Sequence, residues 1–317
     1  MSFGLHSAVD PSGPQAARIA QLWWLMFWVS AGVFVAVTAF LFVALFRSAV
    51  SRQRTAGRAE AQRRTGAVVG GASIVTALII VGLLLVDVST TRALATAPAA
   101  APLRIEVVGH QWWWEVHYPD ETPSQAVTTA NEIHIPVGRP VALELTSRDV
   151  IHSFWVPSLQ GKRDLIPGHV NTAWLQADVP GLFHGQCAEF CGAQHAHMAF
   201  LIVAEPERSF SAWLADQRRP ATAPASADET QGQAVFLSLP CALCHTVRGT
   251  SAWGQNGPDL THLASRRQLA AGTLPNTHGD LAEWLMDPHR VKPGVKMPPT
   301  PVESGLQALL AYLESLR

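Results

Sequence analysis

Two long apolar segments near the N-terminus place the strongest limit on how this chain can fold. Residues 22–46 contain no charged side chain, and residues 67–88 contain only one, Asp87, at their far end. A helix over the first segment would be ~37 Å long, which is enough to span a hydrocarbon core of ~30 Å. The sequence therefore predicts two transmembrane helices, at about 22–46 and 67–88, rather than a pair of buried core helices.

The charges between these segments predict their orientation. Residues 47–66 contain six Arg and one Glu, although the whole chain is nearly neutral, with 23 basic and 24 acidic residues. By the positive-inside rule this basic segment lies in the cytoplasm, so both termini lie on the outer side. The balance of charge over the whole chain does not indicate a nucleic-acid-binding protein.

Changes in composition divide the 317 residues into domains. Residues 1–92 contain the N-terminal tail and the helical hairpin. An Ala/Pro-rich stretch then leads into a second domain, 93–219. A second segment of small residues and Pro, at 220–227, is predicted to be a semi-flexible linker. Residues 228–317 are predicted to form a separate helical domain.

In the second domain the apolar pattern changes to a period of two, which is typical of strands. The alternating residues fall into three runs: Ile105 and Val107; Ile133, Ile135 and Val137; Val141, Leu143 and Leu145. The turn at 138–140 predicts that the last two runs form a hairpin. Further short strands are predicted at 172–175 and 199–203, and a closing helix at 210–217. The sequence therefore predicts an all-β domain.

Four potential metal ligands lie within twelve residues of this domain. Cys187, Cys191, His195 and Met198 follow the pattern Cys-x3-Cys-x3-His-x2-Met. Soft thiolate and thioether ligands beside imidazole suit copper. A mononuclear blue-copper centre needs one Cys, so the second Cys allows two thiolates to bridge two copper ions. His152 is well placed to supply a second imidazole, and the pattern favours a dinuclear copper electron-transfer site.

Three other interpretations of the same residues remain open. Cys187 and Cys191 could form a disulfide in an oxidising compartment. Two Cys and two His could hold a structural zinc ion. Catalytic Cys/His chemistry is a third possibility, although it leaves Met198 without a role.

A second motif, Cys241-Ala-Leu-Cys244-His245, is the attachment sequence for haem c. Its thiols add to the haem vinyl groups, and His245 becomes the proximal axial ligand. Alone, the motif also fits a redox dithiol or half of a zinc site. Its surroundings resemble class I cytochrome c, which implies that Met297 is the distal ligand. The other candidates are Met286, expected to be a core residue of a helix, and His262, His278 and His289, expected on the surface.

The copper motif resembles the CuA signature of subunit II of haem–copper cytochrome c oxidases. In that family both thiolates bridge two copper ions, each copper has one His, and a Met and a backbone carbonyl are weak axial ligands. The resemblance implies the following copper ligands: His152, Cys187, Glu189 through its carbonyl, Cys191, His195 and Met198.

Further roles follow from the same resemblance. It implies that electrons enter the copper site at Trp112, and that Asp164 lies in a loop facing subunit I. The side chain of Glu189 would reach a magnesium ion shared with that subunit. The chain departs from the family at the start of the second apolar helix, where the usual Trp and Pro are missing. We therefore assign no role in proton uptake to Glu60.

The combination of membrane hairpin, copper domain and fused cytochrome resembles subunit II of a caa(3)-type oxidase. It implies a cupredoxin-like Greek-key barrel followed by an all-α class I cytochrome c domain. Electrons would pass from covalent haem c to the dinuclear copper centre, and then to the haem groups of subunit I. There O2 is reduced to water and protons are pumped.

The resemblance also implies partners and a location. The partners are subunits I and III, with a soluble cytochrome c or a quinol-oxidising complex as donor. The location is the bacterial inner membrane, with a multi-pass anchor and with both termini and both redox domains on the periplasmic side. Two alternatives stay open: a CuA-containing subunit of another terminal reductase, such as a nitric oxide reductase, and a membrane-anchored copper-binding protein.

Overall fold

The computed structural model of the protein describes residues 7–50, 58–95, 103–300 and 305–317. The chain forms two compact units, and residues 17–96 make up the first of them. Part of the basic segment, with Arg52 and Arg54, lies outside the described residues, and so does the part of the first linker at 96–102.

Two long helices, α1 (Pro14–Val50) and α2 (Arg58–Ala95), account for the predicted hairpin. The spans Pro14–Arg47 and Gln62–Ala95 are long enough to cross a membrane, and their most apolar 18-residue stretches have mean hydropathies of 2.5 and 2.6. Apolar side chains remain exposed around both helices instead of packing into a core. Such all-round apolar surface is what a membrane span requires.

The β-rich part of the second unit consists of two five-stranded sheets. The first has the order β3-β2-β1-β5-β8 and the second the order β4-β10-β9-β6-β7. The bounds are β1 (Leu103–His110), β2 (Trp113–Tyr118), β3 (Val127–Ala130), β4 (Glu132–Pro136), β5 (Val141–Ser147), β6 (His152–Trp155), β7 (Arg163–Leu165), β8 (Asn171–Leu175), β9 (Gly181–Cys187) and β10 (Ala199–Glu205), followed by α3 (Glu207–Gln217). The predicted all-β domain is confirmed, and so are its strands at 172–175 and 199–203 and its closing helix.

The predicted hairpin between residues 133 and 145 is wrong. Strand β4 pairs with β10 in one sheet, whereas β5 pairs with β1 and β8 in the other. The turn, in which Gly138 has a φ of 74°, therefore carries the chain from sheet to sheet. The alternation of apolar and polar residues identifies each strand, but it does not identify the strand with which it pairs in a sheet.

A single apolar core lies between the two sheets. At its centre Phe200 stacks on Phe154 at 4.4 Å and meets the edge of Trp114 at 5.0 Å between ring centroids. All three rings are completely buried. This rigid aromatic cluster lies directly beneath the loops that carry the predicted copper ligands, since Met198 and Cys187 belong to the same core.

The C-terminal part is mainly helical, as predicted. Its elements are α4 (Ala227–Ser238), α5 (Cys241–Cys244), β11 (Thr246–Val247), β12 (Ala252–Trp253), β13 (Gln268–Leu269), β14 (Leu274–Pro275), α6 (His278–Met286), α7 (Pro288–Val291) and α8 (Leu306–Ser315). Helices α4 and α8 cross in close contact at Gly232. A Cβ atom there would lie 1.9 Å from the carbonyl oxygen of Ala308, so only glycine permits this approach.

Candidate metal centre and haem site

Three neighbouring strands bring the predicted copper ligands together. Cys187 is the last residue of β9, and Met198 immediately precedes β10, which pairs with β9. The intervening loop carries Cys191 and His195. His152 begins β6, which also pairs with β9, so it reaches the same end of the sheet. The remote His and the local motif thus meet because β6 lies next to β9.

The ligand atoms of this group are close to one another. Cys187 Sγ lies 3.8 Å from Cys191 Sγ and 3.9 Å from His152 Nδ1. Cys191 Sγ lies 3.5 Å from His195 Nδ1 and 3.8 Å from Met198 Sδ. The ligand atoms of His152, Cys187 and Cys191 all lie within 4.8 Å of one another. Two sulfur atoms therefore occupy the centre, with one imidazole beside each.

The site is shielded from water and favours a thiolate. His152 is fully buried, and Cys187, Cys191 and Met198 are at most 5 % exposed. The hydrogen bond with Cys191 lowers the pKa of Cys187 to about 3 and raises the pKa of Cys191 above its ordinary value. The thiolate is the form that binds metal. The carbonyl oxygen of Glu189 lies 3.2 Å from Cys187 Sγ, in reach of the same centre.

These distances bear on the alternatives for the Cys pair. A separation of 3.8 Å between the sulfur atoms is far longer than the ~2.05 Å of a disulfide, and both cysteines are free. A zinc site of two Cys and two His would leave the buried thioether of Met198 without a purpose. Two thiolates, two imidazoles and a thioether are a donor set that fits copper.

Neighbouring residues fix the orientation of His152. Its Nε2–H donates to the Asp149 carboxylate at 2.9 Å, which leaves Nδ1 facing Cys187. Asp149 in turn accepts hydrogen bonds from the backbone amides of Gln111 and Val150. Gly109 lies against the ring, since a Cβ atom there would come within 2.7 Å of His152 Cδ2. Contacts of this kind set the tautomer and angle of a metal-binding imidazole.

Trp112 covers the Cys191 side of the site. Its indole Nε1–H donates to the carbonyl oxygen of Cys191 at 2.9 Å, and the side-chain amide of Gln111 donates to the same oxygen at 2.9 Å. The indole is 8 % exposed, and Gly192 lies against it. Trp114, by contrast, is fully buried in the core. Its indole Nε1–H donates to the carbonyl oxygen of Met198 at 3.4 Å, so Trp112 and Trp114 are both bonded to the segment that carries the copper ligands.

The two residues predicted to face subunit I lie together on the surface. Lys162 Nζ is 3.4 Å from Glu189 Oε2 and 3.9 Å from Asp164 Oδ1. All three side chains are partly exposed. The side chain of Glu189 therefore points away from the buried sulfur atoms, while its carbonyl points toward Cys187.

The residues of the haem motif line a large apolar cavity. It has a volume of about 890 Å³, and its wall includes Cys241, Cys244, His245 and Met297. Aliphatic side chains from α6 and α8 contribute much of the remaining wall. Cavities of ~300–1,000 Å³ are typical of sites for drug-sized ligands and cofactors. The volume and apolar lining fit a haem group.

His245 is prepared to act as an axial ligand. Its Nδ1–H donates to the carbonyl oxygen of Pro258 at 2.7 Å, so Nε2 remains for iron. Burial lowers the pKa of His245, which favours the neutral imidazole. Gly257 lies against the ring, where a Cβ atom would come within 2.6 Å of Cε1.

The structure separates the two candidates for the sixth ligand. Met297 lines the cavity, whereas Met286 lies at the end of α6 and is 53 % exposed. The expectation that Met286 is a core residue is therefore wrong, because its position at the helix end turns it toward solvent. His262 was expected on the surface but is 4 % exposed, and its Nε2 donates to the carbonyl oxygen of Arg219.

The haem cavity also reaches the copper-binding part of the chain. His110, Trp112, Trp113 and Arg148 line it together with the haem-motif residues. Trp113 stacks on His110 with their ring centroids 4.3 Å apart. Trp112 therefore belongs to both sites: its indole ring contacts the Cys191 loop, and the same residue lines the cavity.

Two residues that contact these sites could not be identified from the sequence. Asp149 is one acidic residue among many, and only the structure shows its carboxylate on His152. Lys292 is almost fully buried, at 1 % exposed, and its Nζ donates to the carbonyl oxygens of Trp112 and Ala270. Burial lowers the pKa of Lys292 to about 7. A lysine in a loop is ordinarily exposed, so no sequence pattern indicates this position.

The fold and the two sites define a class: a membrane-anchored redox protein with a cupredoxin-like domain and a c-type cytochrome domain. Residues 103–205 match the family described as cytochrome c oxidase subunit II, periplasmic domain, and residues 229–317 match the cytochrome c family. The chain belongs to the cytochrome c oxidase subunit II family.

Relatives support this assignment over nearly the whole chain. The chain is 35 % identical over 321 residues to cytochrome c oxidase subunit 2 of Alkalihalophilus pseudofirmus, covering 98 % of this chain and 91 % of that protein. The subunit of Bacillus sp. strain PS3 is 34 % identical and covers 67 % of this chain and 62 % of that protein. Among solved structures, the periplasmic domain of subunit II from Bradyrhizobium japonicum is 32 % identical, covering 39 % of this chain and 97 % of that chain, with a TM-score of 0.37.

The family assignment confirms the main predictions. The protein is an electron-transfer subunit within an oxidase complex, and its two domains are of kinds that hold copper and haem c. Its two apolar helices suggest a membrane anchor for the periplasmic domain. The alternatives of a nitric oxide reductase subunit and of a copper-binding protein are not favoured by these relatives.

Proposed function

We propose that this chain carries electrons from a covalently bound haem c to a dinuclear copper centre, and from there to subunit I of a terminal oxidase. When bound, the haem and the two copper ions supply the one-electron redox chemistry. The residues of the chain hold the two centres, keep water away from them and fix the path between them. This function deepens the family assignment by naming the residues.

The proposed copper site uses every ligand predicted from the sequence. Cys187 and Cys191 would hold two copper ions through their thiolates, and His152 and His195 would each supply an imidazole ligand. Met198 and the Glu189 carbonyl complete the set. Their support is the grouping of sulfur and nitrogen atoms 3.5–3.9 Å apart, all buried except those of the partly exposed His195. Asp149 keeps His152 in the tautomer that presents Nδ1.

The proposed haem site uses the attachment motif and one distant residue. Cys241 and Cys244 would form the covalent links to the haem, and His245 and Met297 would supply its two iron ligands. All four line the same cavity. His/Met ligation raises the haem potential, which suits a donor to a copper centre. Trp112 lies between this cavity and the Cys191 loop, and we assign it the role of admitting electrons to the copper site.

The surface beside the copper site is the proposed contact with subunit I. Lys162 holds Glu189 and Asp164 side by side there. A carboxylate oxygen is a ligand suited to magnesium, and Glu189 would share such an ion with subunit I. Subunit III and a soluble cytochrome c or quinol-oxidising donor are further proposed partners. The two domains and both termini would face the periplasm of a bacterial inner membrane.

One observation carries this proposal: the pair of buried thiols with an imidazole beside each. The test is low-temperature electron paramagnetic resonance on the purified oxidase complex. An electron shared by two copper nuclei gives more and narrower hyperfine lines than one copper nucleus. Replacing one bridging thiolate, in Cys187→Ser, should abolish that pattern and leave the spectrum of haem c intact.

The matched control is Ser153→Ala, which alters the neighbouring strand without removing a ligand. It should retain the shared-electron signal. A single-copper pattern in the unaltered protein, or an unchanged signal in Cys187→Ser, would refute the bridging assignment.

A further inference from the structure

A buried lysine joins the haem-binding and copper-binding parts of the chain. Lys292 lies five residues before Met297 and is 1 % exposed. Its ammonium group donates to the carbonyl oxygens of Trp112 and Ala270, each at 3.0 Å. Burying an ammonium group is costly unless hydrogen bonds compensate for the lost water. Loss of the Trp112 carbonyl would therefore leave the buried ammonium group with one of its two hydrogen bonds, which favours the position in which both are made.

Two further hydrogen bonds, one from a side chain and one from the backbone, join the same two parts of the chain. The side-chain amide of Gln194 donates to the carbonyl oxygen of Pro293 at 2.6 Å. The amide of Ala199 donates to the carbonyl oxygen of Ala271 at 2.9 Å. Gln194 and Ala199 directly flank the segment that contains His195 and Met198. The haem domain is thus bonded directly to the segment that carries the copper ligands.

Further contacts extend this interface away from the copper ligands. The backbone amide of Arg267 donates to the carboxylate of Glu132 at 3.0 Å. The residues just before the linker are attached as well, because the guanidinium of Arg248 donates to the carbonyl oxygens of Gln217 and Arg218. In the linker itself, the backbone amide of Ala221 donates to the carbonyl oxygen of Arg248 at 2.9 Å. These bonds give the cytochrome domain one defined position on the copper domain.

We propose that Lys292 is a positioning residue that fixes the Met297 loop against Trp112, so that the haem domain transfers electrons from a docked position. This inference rests on the proposed function. Lys292 acts through Trp112 and the loop, because its hydrogen bonds define the separation of the two sites without contributing a metal ligand. A domain that swung freely on its linker would instead have to find this position before each transfer.

The test is Lys292→Met in the complete, copper- and haem-loaded oxidase. Methionine keeps most of the buried volume and removes both hydrogen bonds. An electron is delivered to the haem by a photoexcited ruthenium dye, and its transfer to copper is followed optically. We expect transfer to slow by about tenfold or more, since a misplacement of about 1 Å can lower the rate of a positioned reaction by up to 10²-fold.

Several readouts separate positioning from a general structural defect. The haem spectrum, the haem potential and the copper resonance signal should stay as in the unaltered protein, while the slowed transfer becomes dependent on solvent viscosity. The matched control is Arg290→Met, which removes an exposed cation that pairs with Glu283 in the same segment. It should leave the rate unchanged. A normal transfer rate in Lys292→Met would overturn the proposal.

A cross-link provides a second test that does not depend on that variant folding. A Cβ atom at Gly294 would lie 4.0 Å from Cβ of Ala193, within the ~3.5–4.5 Å of a disulfide. Because Gly294 has a φ of 84°, which strains any other residue, the reduced double variant is the control and should show the normal haem and copper spectra. In Ala193→Cys/Gly294→Cys, the oxidised protein should transfer electrons at the normal rate, and the cross-link should restore the rate in Lys292→Met. Loss of transfer on oxidation, with recovery on reduction, would show that the domain must move and would overturn the proposal.

Failure of the proposed function would give a different result from failure of the inference about Lys292. In that case the unaltered protein would lack the shared-electron copper signal, or its haem would not pass an electron to copper at all.

Discussion

The copper site and the haem site are built in opposite ways. The copper ligands lie at the edge of a packed aromatic core, with their sulfur and nitrogen atoms already within 3.5–3.9 Å of one another. The haem residues surround a cavity of about 890 Å³. The copper site is therefore organised by the protein, whereas the haem domain depends on its cofactor to complete its core.

This difference follows from where each site obtains its apolar contacts. Strands β6, β9 and β10 bury their side chains against the opposite sheet, so their loops are held whether or not metal is bound. In the cytochrome domain, Leu309 and Leu313 of α8 pack with Phe236 of α4 but also face the cavity. An unfilled cavity deprives such side chains of partner atoms.

The largest expected effect comes from preventing haem attachment. Without haem, the apolar side chains that line the cavity lose their partner atoms and face water, at a cost of about 25 cal/mol per Å² of apolar surface, whereas a typical domain is stabilised by only ~5–15 kcal/mol. We expect Cys241→Ala/Cys244→Ala to unfold residues 228–317. Limited proteolysis, with the cleavage sites mapped, measures this directly.

The matched variant on the copper side is Cys187→Ser/Cys191→Ser. It should lose copper yet remain resistant to protease between residues 103 and 205. Equal resistance in both variants, or earlier cleavage in the copper domain, would contradict the comparison.

A smaller effect is expected from the axial ligand of the haem site. Met297→Ala should lower the haem potential by on the order of 0.1 V, within the range of ~0.8 V that axial ligands control, and should change the absorption bands of the ligated methionine. Met286→Ala is the control, because that side chain is exposed at the end of α6. A redox titration of each variant measures the haem potential and so tests which methionine is the ligand. A shift caused by Met286→Ala instead would reassign the ligand.

The sequence predicts what is local in this molecule. Four copper ligands lie within twelve residues, and three haem-binding residues lie within five, so their spacing alone indicates the chemistry. Each predicted strand in the copper domain also forms. The pairing of β4 and β5 was mistaken because each strand finds its partner far along the chain, at β10 and at β1. No local pattern contains that information.

The contacts between the copper and haem domains are the feature that is least predictable from the sequence. A small, Pro-containing linker predicts a tethered domain, but the structure shows Arg248 and His262 bonded to the residues just before that linker. His262 was expected on the surface, and a loop lysine such as Lys292 is ordinarily exposed. They are buried because another part of the chain covers them, which depends on the docked arrangement and not on their own neighbours.

The smallest expected effect tests whether protein contacts organise the copper site. Asp149→Asn keeps the size of the side chain but removes the charge that orients His152 Nε2 at 2.9 Å. Loss of such a contact typically lowers metal affinity by about 10–100-fold. We expect a decrease of that size in copper affinity, measured by competition with a chelator, while the haem spectrum stays unchanged. Asp216→Asn, on an exposed residue paired with Arg219, should have no effect. Unchanged affinity in Asp149→Asn would mean that the sulfur ligands alone determine the geometry, and that the surrounding core contributes less than the comparison requires.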